Sequence, residues 1–171
     1  MVLKTPICTF DAKTGILCNL CESKLESGQI TQSDVEGSII LSRLAQKNSL
    51  INKMTLLSAR EIEKEQVLLL KNSDVRLIRS NEGLSETINK AFGKDVWIIE
   101  ADSNDRRFLE NLFHPTHLES VNLVWLPDGS KLTRIMINKS AYSKMDKVKL
   151  EKIKKISMVV RQIDLIIEVD D

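Results

Sequence analysis

Two apolar runs, Val67-Leu68-Leu69-Leu70 and Val96-Trp97-Ile98-Ile99, bracket a segment in which Val75, Ile78, Ile88 and Phe92 recur at roughly helical spacing. The runs predict strands. The segment between them predicts two short helices around a polar loop, Arg79-Ser80-Asn81-Glu82. Upstream, Ser33-Asp34-Val35-Glu36 offers a capping box, and Val35, Ile39, Ile40 and Leu44 supply the apolar face of a helix from Thr31 to about Asn48. Residues 54–64 and 65–71 then read as two strands, from the alternation of Thr55, Leu57, Ala59 and Glu61 against Leu56, Ser58, Arg60 and Ile62. No Asn-Gly or Asp-Gly marks the turn between them.

Farther along, Ser103 caps a predicted helix carrying Phe108, Leu109 and Leu112, which His114-Pro115 ends. His114 and His117 lack an acidic or cysteine neighbour and read as loop residues. Val121–Leu126 and Leu132–Asn138 flank the turn Pro127-Asp128-Gly129-Ser130 and predict a hairpin. A helix follows from Lys144 to Gln162, with Val148, Ile153, Ile156 and Val160 apolar, and Ile163–Val169 closes as a strand. Strands, a helical middle and a closing strand therefore occur at 54–101 and again at 121–169, an internal repeat of a small α/β unit.

Composition narrows the class. The 171 residues suit one ordinary domain or two or three very small ones with marginal cores. At 42% hydrophobic and 29% charged, the chain has the composition of a soluble globular protein. No stretch approaches the ~18 apolar residues of a membrane span, and Met1–Thr5 is too short for a signal peptide, so the expected compartment is the cytoplasm. The net charge of +1 does not announce a polyanion-binding protein, so local charge has to be read instead. Gly-rich phosphate loops, G-x-S-x-G and H-E-x-x-H are absent, and the cysteines have no neighbouring histidine to serve as a base. No enzyme and no small-molecule substrate is expected.

Cys8, Asp11, Cys18 and Cys21 form the pattern C-x2-D-x6-C-x2-C, with Gly15 placed to turn the chain between the pairs. Clustered cysteines with a CxxC in a chain of this type argue for metal before disulfide. Zinc accepts thiolate sulfur and carboxylate oxygen, so Asp11 is the candidate fourth ligand of a structural zinc knuckle. The alternative is a decayed site with plain thiols. A segment this poor in apolar residues is not expected to build its own core, and a metal would give it a reason to be ordered.

Val75-Arg76-Leu77-Ile78, followed by Gly93-Lys94-Asp95-Val96, resembles the type II KH domain of the NusA family. There a helix ending in Leu-Ile meets a GXXG loop, and the next helix ends in Gly-Lys before a strand. Phe108–Pro115 and Val121–Gly129 are similar to the joint into the second KH unit of archaeal NusA-like proteins. Pro6-Ile7-Cys8, Gly15-Ile16-Leu17-Cys18 and Cys21-Glu22 resemble the cysteine-bearing extension of related archaeal proteins, where a fourth cysteine is expected at Asp11. The resemblance implies an α+β chain of two small KH type II-like units in tandem. It divides into a cysteine-rich segment at 1–30, a first unit with a leading helix at 31–116 and a second unit at 117–171.

The resemblance further implies contact with single-stranded RNA and a role in transcription elongation or termination. In KH domains the glycine loop admits the RNA backbone. Here the matching positions are Arg79, Ser80, Asn81 and Glu82, with Gly83 directly after them, and Glu82 would repel phosphate. Arg79 is the candidate phosphate partner. The second loop falls near Asp146–Lys149, again without glycine. Lys144, Lys147, Lys149, Lys152, Lys154 and Lys155 make the strongest basic cluster, either a phosphate-neutralising face or an ordinary solvated one. Trp97, Trp125 and Phe92 lie in or beside apolar runs and read as core. Two functions follow: an RNA-binding protein, or a protein-interaction module that has lost RNA and serves RNA polymerase, the ribosome or an RNA-processing complex.

Overall fold

A computed structural model describes residues 2–171 as two compact units, one ending at Ser103 and the other spanning Asn104–Asp171. The chain is α+β, with a small mixed three-stranded sheet in each unit.

The first unit opens with two short helices, α1 (Thr9–Thr14) and α2 (Asn19–Glu26), followed by α3 (Gln32–Ala45) and a single 3-10 turn at Ile51–Lys53. The helix read from Thr31 to Asn48 is present, but its capping box uses Thr31 and Asp34 rather than Ser33 and Glu36. Thr31 Oγ1 accepts from Asp34 N–H, and the Asp34 carboxylate accepts from Thr31 N–H at 2.9 Å. The short helices do share a core, contrary to expectation: Ile7, Ala12, Cys21, Ile30 and Val35 are buried together, with Leu17, Leu25 and Ile39 against them.

β1 (Leu56–Ile62) and β2 (Glu65–Leu70) pair antiparallel, and β3 (Val96–Glu100) lies parallel to β2. The turn between β1 and β2 holds Glu63 at φ 47° and Lys64 at φ 71°, the left-handed conformation usually given to Asn or Gly. Between β2 and β3 run α4 (Asn72–Arg79) and α5 (Glu82–Phe92), where two helices were expected. Val75, Ile78, Leu84 and Ile88 pack on Leu56, Leu68 and Leu70, together with Leu41 of α3.

The second unit begins with α6 (Asp105–Phe113), so the boundary lies at Ser103/Asn104 and not at 116/117 as expected from the sequence. Phe108, Leu109, Leu112 and Phe113 are all buried. Arg161 bridges to it, its guanidinium 4.5 Å from the Phe108 ring centroid and 3.0 Å from the Asp105 carboxylate. β4 (Leu118–Trp125) and β5 (Lys131–Asn138) form the expected hairpin. Then come α7 (Lys139–Lys144), α8 (Lys147–Arg161) and β6 (Leu165–Asp170), which pairs parallel to β5. The single helix read from Lys144 to Gln162 is thus interrupted at Met145-Asp146, because Asp146 starts a new helix by accepting from Val148 N–H at 3.0 Å.

Each unit therefore contains the order helix, strand, strand, helix, helix, strand, with the last strand parallel to the middle one. The repeat read from the sequence is present in the backbone. Among the described residues no helix is long and apolar enough to cross a membrane.

Candidate metal centre and candidate nucleic-acid interface

The C-x2-D and C-x2-C pairs owe their geometry to helix starts. Cys8 is the N-cap of α1 and Asp11 sits three residues on; Cys18 is the N-cap of α2 and Cys21 sits three residues on. Side chains at these two positions face each other across a first turn. Gly15 ends α1 at φ 78°, donating its N–H to Asp11 C=O at 2.8 Å, and so swings the second pair toward the first.

The result gathers four ligand atoms within 4.8 Å of one another. Two thiolates about 2.3 Å from a tetrahedral ion stand about 3.8 Å apart, so a small contraction closes the set around a metal. The donor atoms fit one. Asp11 is 1% exposed, and its Oδ2 accepts from Cys18 N–H at 2.9 Å, while Oδ1 is buried with no hydrogen-bond partner. A carboxylate oxygen buried in that way loses its hydration without replacement, unless a cation takes the position. Cys21 Sγ accepts from Cys8 N–H at 3.4 Å, which orients the buried sulfur toward the same point.

Without a metal the two buried acids titrate apart. The Cys18 backbone N–H, outweighing the opposing effect of burial, holds Asp11 down to about 2, helped by contacts to the three cysteine side chains. Burial pushes Cys21 up to about 12. Asp11 is thus a ready anionic ligand, and metal binding at Cys21 would release its proton. Cys8, Asp11, Cys18 and Cys21 together could hold a metal ion.

The residues expected to meet RNA are arranged differently from one unit to the other. In the first, Arg79 is the last residue of α4 and Glu82 the first of α5, which leaves Ser80 and Asn81 as the loop. The Arg79 guanidinium turns back, its Nη2 donating to Ile98 C=O on β3 at 3.3 Å. Gly83 lies in the first helical turn, where an added Cβ would come 3.3 Å from Asn81 Oδ1; it is not the left-handed residue of a flexible loop.

In the second unit the loop is Met145-Asp146 rather than Asp146–Lys149. Lys144 ends α7, and Lys147, Lys149, Lys152, Lys154 and Lys155 lie on α8. At about 100° per residue, the lysines do not share one face. Lys144, Lys147 and Lys155 are exposed, whereas Lys149, Lys152 and Lys154 are half-buried along the flanks of the stripe formed by Leu150, Ile153, Ile156 and Ser157. Val148, read as part of the apolar face, is 59% exposed. Lys154 also approaches Glu151 at 3.6 Å.

Of the aromatics read as core, Phe92 packs on the first core, and Trp97 is half-buried with Nε1 donating to Glu65 at 3.0 Å. Trp125 departs from that reading: it is 61% exposed, because the end of the hairpin is not covered.

No protein-family model matches the chain, and no curated protein sequence does. Among solved structures, the crystal structure of APE1850 is similar, with a TM-score of 0.55 over 77% of this chain and 95% of that one, at 16% identity. At this identity the likeness concerns the fold.

Proposed function

We propose that the chain is a non-catalytic RNA-binding protein of the NusA kind, built on two KH-like units and acting in transcription elongation or termination. The observation that carries this reading is the repeated unit itself, in which two helices joined by a two-residue loop stand between parallel strands. KH domains present such a loop to the RNA backbone. In the second unit Lys144 and Lys147 flank the loop and Lys155 faces outward from the same helix, which favours phosphate attraction there. In the first unit the Arg79 guanidinium donates to Ile98 C=O, and the loop residues Ser80 and Asn81 carry no charge. The metal is zinc: three thiolates and one carboxylate suit its softness and its tetrahedral preference, and its role is structural.

The test neutralises Lys144, Lys147 and Lys155 to Gln and titrates a fluorescent single-stranded RNA at two salt concentrations. Loss of three phosphate contacts lowers the salt slope by about 2 and weakens binding at low salt. Unchanged affinity and slope would remove these lysines from the interface.

A second reading is a protein-interaction module on the same scaffold, serving RNA polymerase, the ribosome or an RNA-processing complex. The inward Arg79 and the absence of glycine from both loops favour it. It requires the wild type to show no RNA affinity at moderate salt.

A further inference from the structure

Antiparallel partners point to the same side of a sheet, and alternate residues along a strand share that side. Val121, Leu123 and Trp125 of β4 therefore lie on one side with their partners Ile135, Thr133 and Lys131 of β5. Ile135 is buried, as is Leu165 of β6, the partner of Thr133, which marks this side as the one facing the helices of the unit. Yet Leu123 is 55% and Trp125 61% exposed. The last rungs of the hairpin extend past the helical layer and hold two large apolar side chains in water.

This end of the hairpin is ordered by its own bonds. Leu126 N–H donates to Ser130 C=O and Gly129 N–H to Leu126 C=O, both at 2.9 Å. The Asp128 carboxylate accepts from Ser130 N–H at 2.9 Å and from the Ser130 hydroxyl at 2.6 Å, so its charge is directed into the turn. What remains for a partner is an indole with an ammonium over one face: Lys131 Nζ stands 4.6 Å from the Trp125 ring centroid. A ring that keeps most of its exposure with a cation against it still offers surface for stacking.

We infer that Trp125, with Leu123 and Lys131, is a stacking platform for an unpaired base of single-stranded RNA, with the Lys131 ammonium meeting a neighbouring phosphate. The inference rests on the RNA-binding reading above and assigns it a contact surface away from the α7–α8 loop. Every base presents a π-face, so such a platform is tolerant of sequence and draws its salt dependence from the lysine. A folded protein is a poorer fit. Two side chains fall well short of the roughly 800 Å² per partner of a stable interface, and lysine is depleted from interface centres.

The experiment uses the full chain. The protein has two tryptophans, so Trp97→Phe leaves Trp125 as the only indole reporter. Oligouridylate of about ten nucleotides carrying a fluorescein label is titrated at low salt, reading label anisotropy and, in parallel with unlabelled RNA, indole emission. The expected result is saturable quenching of Trp125 along the same isotherm as the anisotropy. Trp125→Ala, made with Trp97 intact in case that residue is needed for folding, then binds about tenfold more weakly, and Trp125→Phe keeps most of the affinity. Binding by anisotropy with unmoved Trp125 emission and a wild-type-like Trp125→Ala overturns the platform and leaves the RNA-binding reading standing. Absence of binding by either signal at low salt overturns both. A blue shift of Trp125 that depends on protein concentration alone identifies the occupant as a second copy of the chain and likewise overturns the platform.

Discussion

The carboxylate of Asp34 accepts a hydrogen bond from the backbone N–H of Ala59 at 2.7 Å, tying the first turn of α3 to the middle of β1. The same side chain accepts from the Ser58 hydroxyl at 3.1 Å and caps Thr31, so one buried carboxylate orders a helix start and its docking. Asp34→Ala orphans the Ala59 N–H and removes half the capping box. The expected cost is about 2–3 kcal/mol, read as a lower urea midpoint with the slope unchanged.

Gly37, one turn farther along α3, meets Ala59 from the other direction. A Cβ at position 37 would stand 2.8 Å from Ala59 Cβ, with Leu56 and Leu68 close behind. Helix propensity alone would make Gly37→Ala stabilising by about 1 kcal/mol. Because the clash is with a short, rigid methyl, overpacking is expected to win and the variant to lose about 1–3 kcal/mol. A urea midpoint above wild type would show that the helix moves away freely.

Arg79 separates a structural role from a binding role. Its guanidinium donates to Ile98 C=O, so Arg79→Ala is expected to cost about 1 kcal/mol in stability. RNA affinity should stay within a factor of about two once the measurement is made well below the unfolding midpoint. A tenfold loss of affinity with unchanged stability would mean that the side chain leaves Ile98 to meet phosphate.

How far the residues announced this arrangement depends on whether the deciding contact was local. Val75, Ile78 and Ile88 show their helices through spacing alone, and Pro127-Asp128-Gly129-Ser130 shows its turn. The turn at Glu63 and Lys64 was invisible because two ordinary residues occupy left-handed backbone there, with no Asn or Gly to mark it. Thr31 lost the capping role to Ser33 in the sequence because Asp34 takes the place of the usual Glu or Gln. The spacing of Cys8, Asp11, Cys18 and Cys21 marks the cluster that the fold gathers, whereas α1 and α2 are short and carry too little periodicity to be read. Trp125 sits in an apolar run, and nothing in the run tells where the covering helices stop.

Asp11 is expected to be the weak point of the metal centre and also the place to strengthen it. With Asp11 as the proposed fourth ligand, Asp11→Ala removes a direct contact, so the loss of metal affinity should exceed the ~10–100-fold typical of outer contacts. Asp11→Cys completes a four-thiolate set and should bind more tightly, although Cys18 N–H then faces a sulfur acceptor in place of Oδ2. Competition against a chromophoric chelator ranks the three proteins. Equal affinity of Asp11→Ala and wild type would leave the carboxylate with only its bond to Cys18.

With a metal in the proposed site, its removal should loosen the N-terminal segment without unfolding the whole first unit. Ile7, Ala12 and Cys21 share a small core with Ile30 and Val35, whereas Leu41, Leu56, Leu68, Leu70, Val75 and Ile88 form a separate cluster that does not include the ligands. At a free metal concentration of about a thousand times Kd, the bound ion contributes about 4 kcal/mol to the states that hold it. Chelation therefore withdraws that stabilisation from residues 6–30 first, since local opening there no longer has to release an ion, whereas Leu3 and Lys4 stay tied to the larger cluster and to β1. Limited proteolysis with and without chelator is expected to show new cleavage confined to that segment, with the remainder of the chain persisting as a resistant fragment. Identical digestion in both conditions, in protein shown by elemental analysis to have carried metal, would mean that the small core around Ile7 holds the segment unaided.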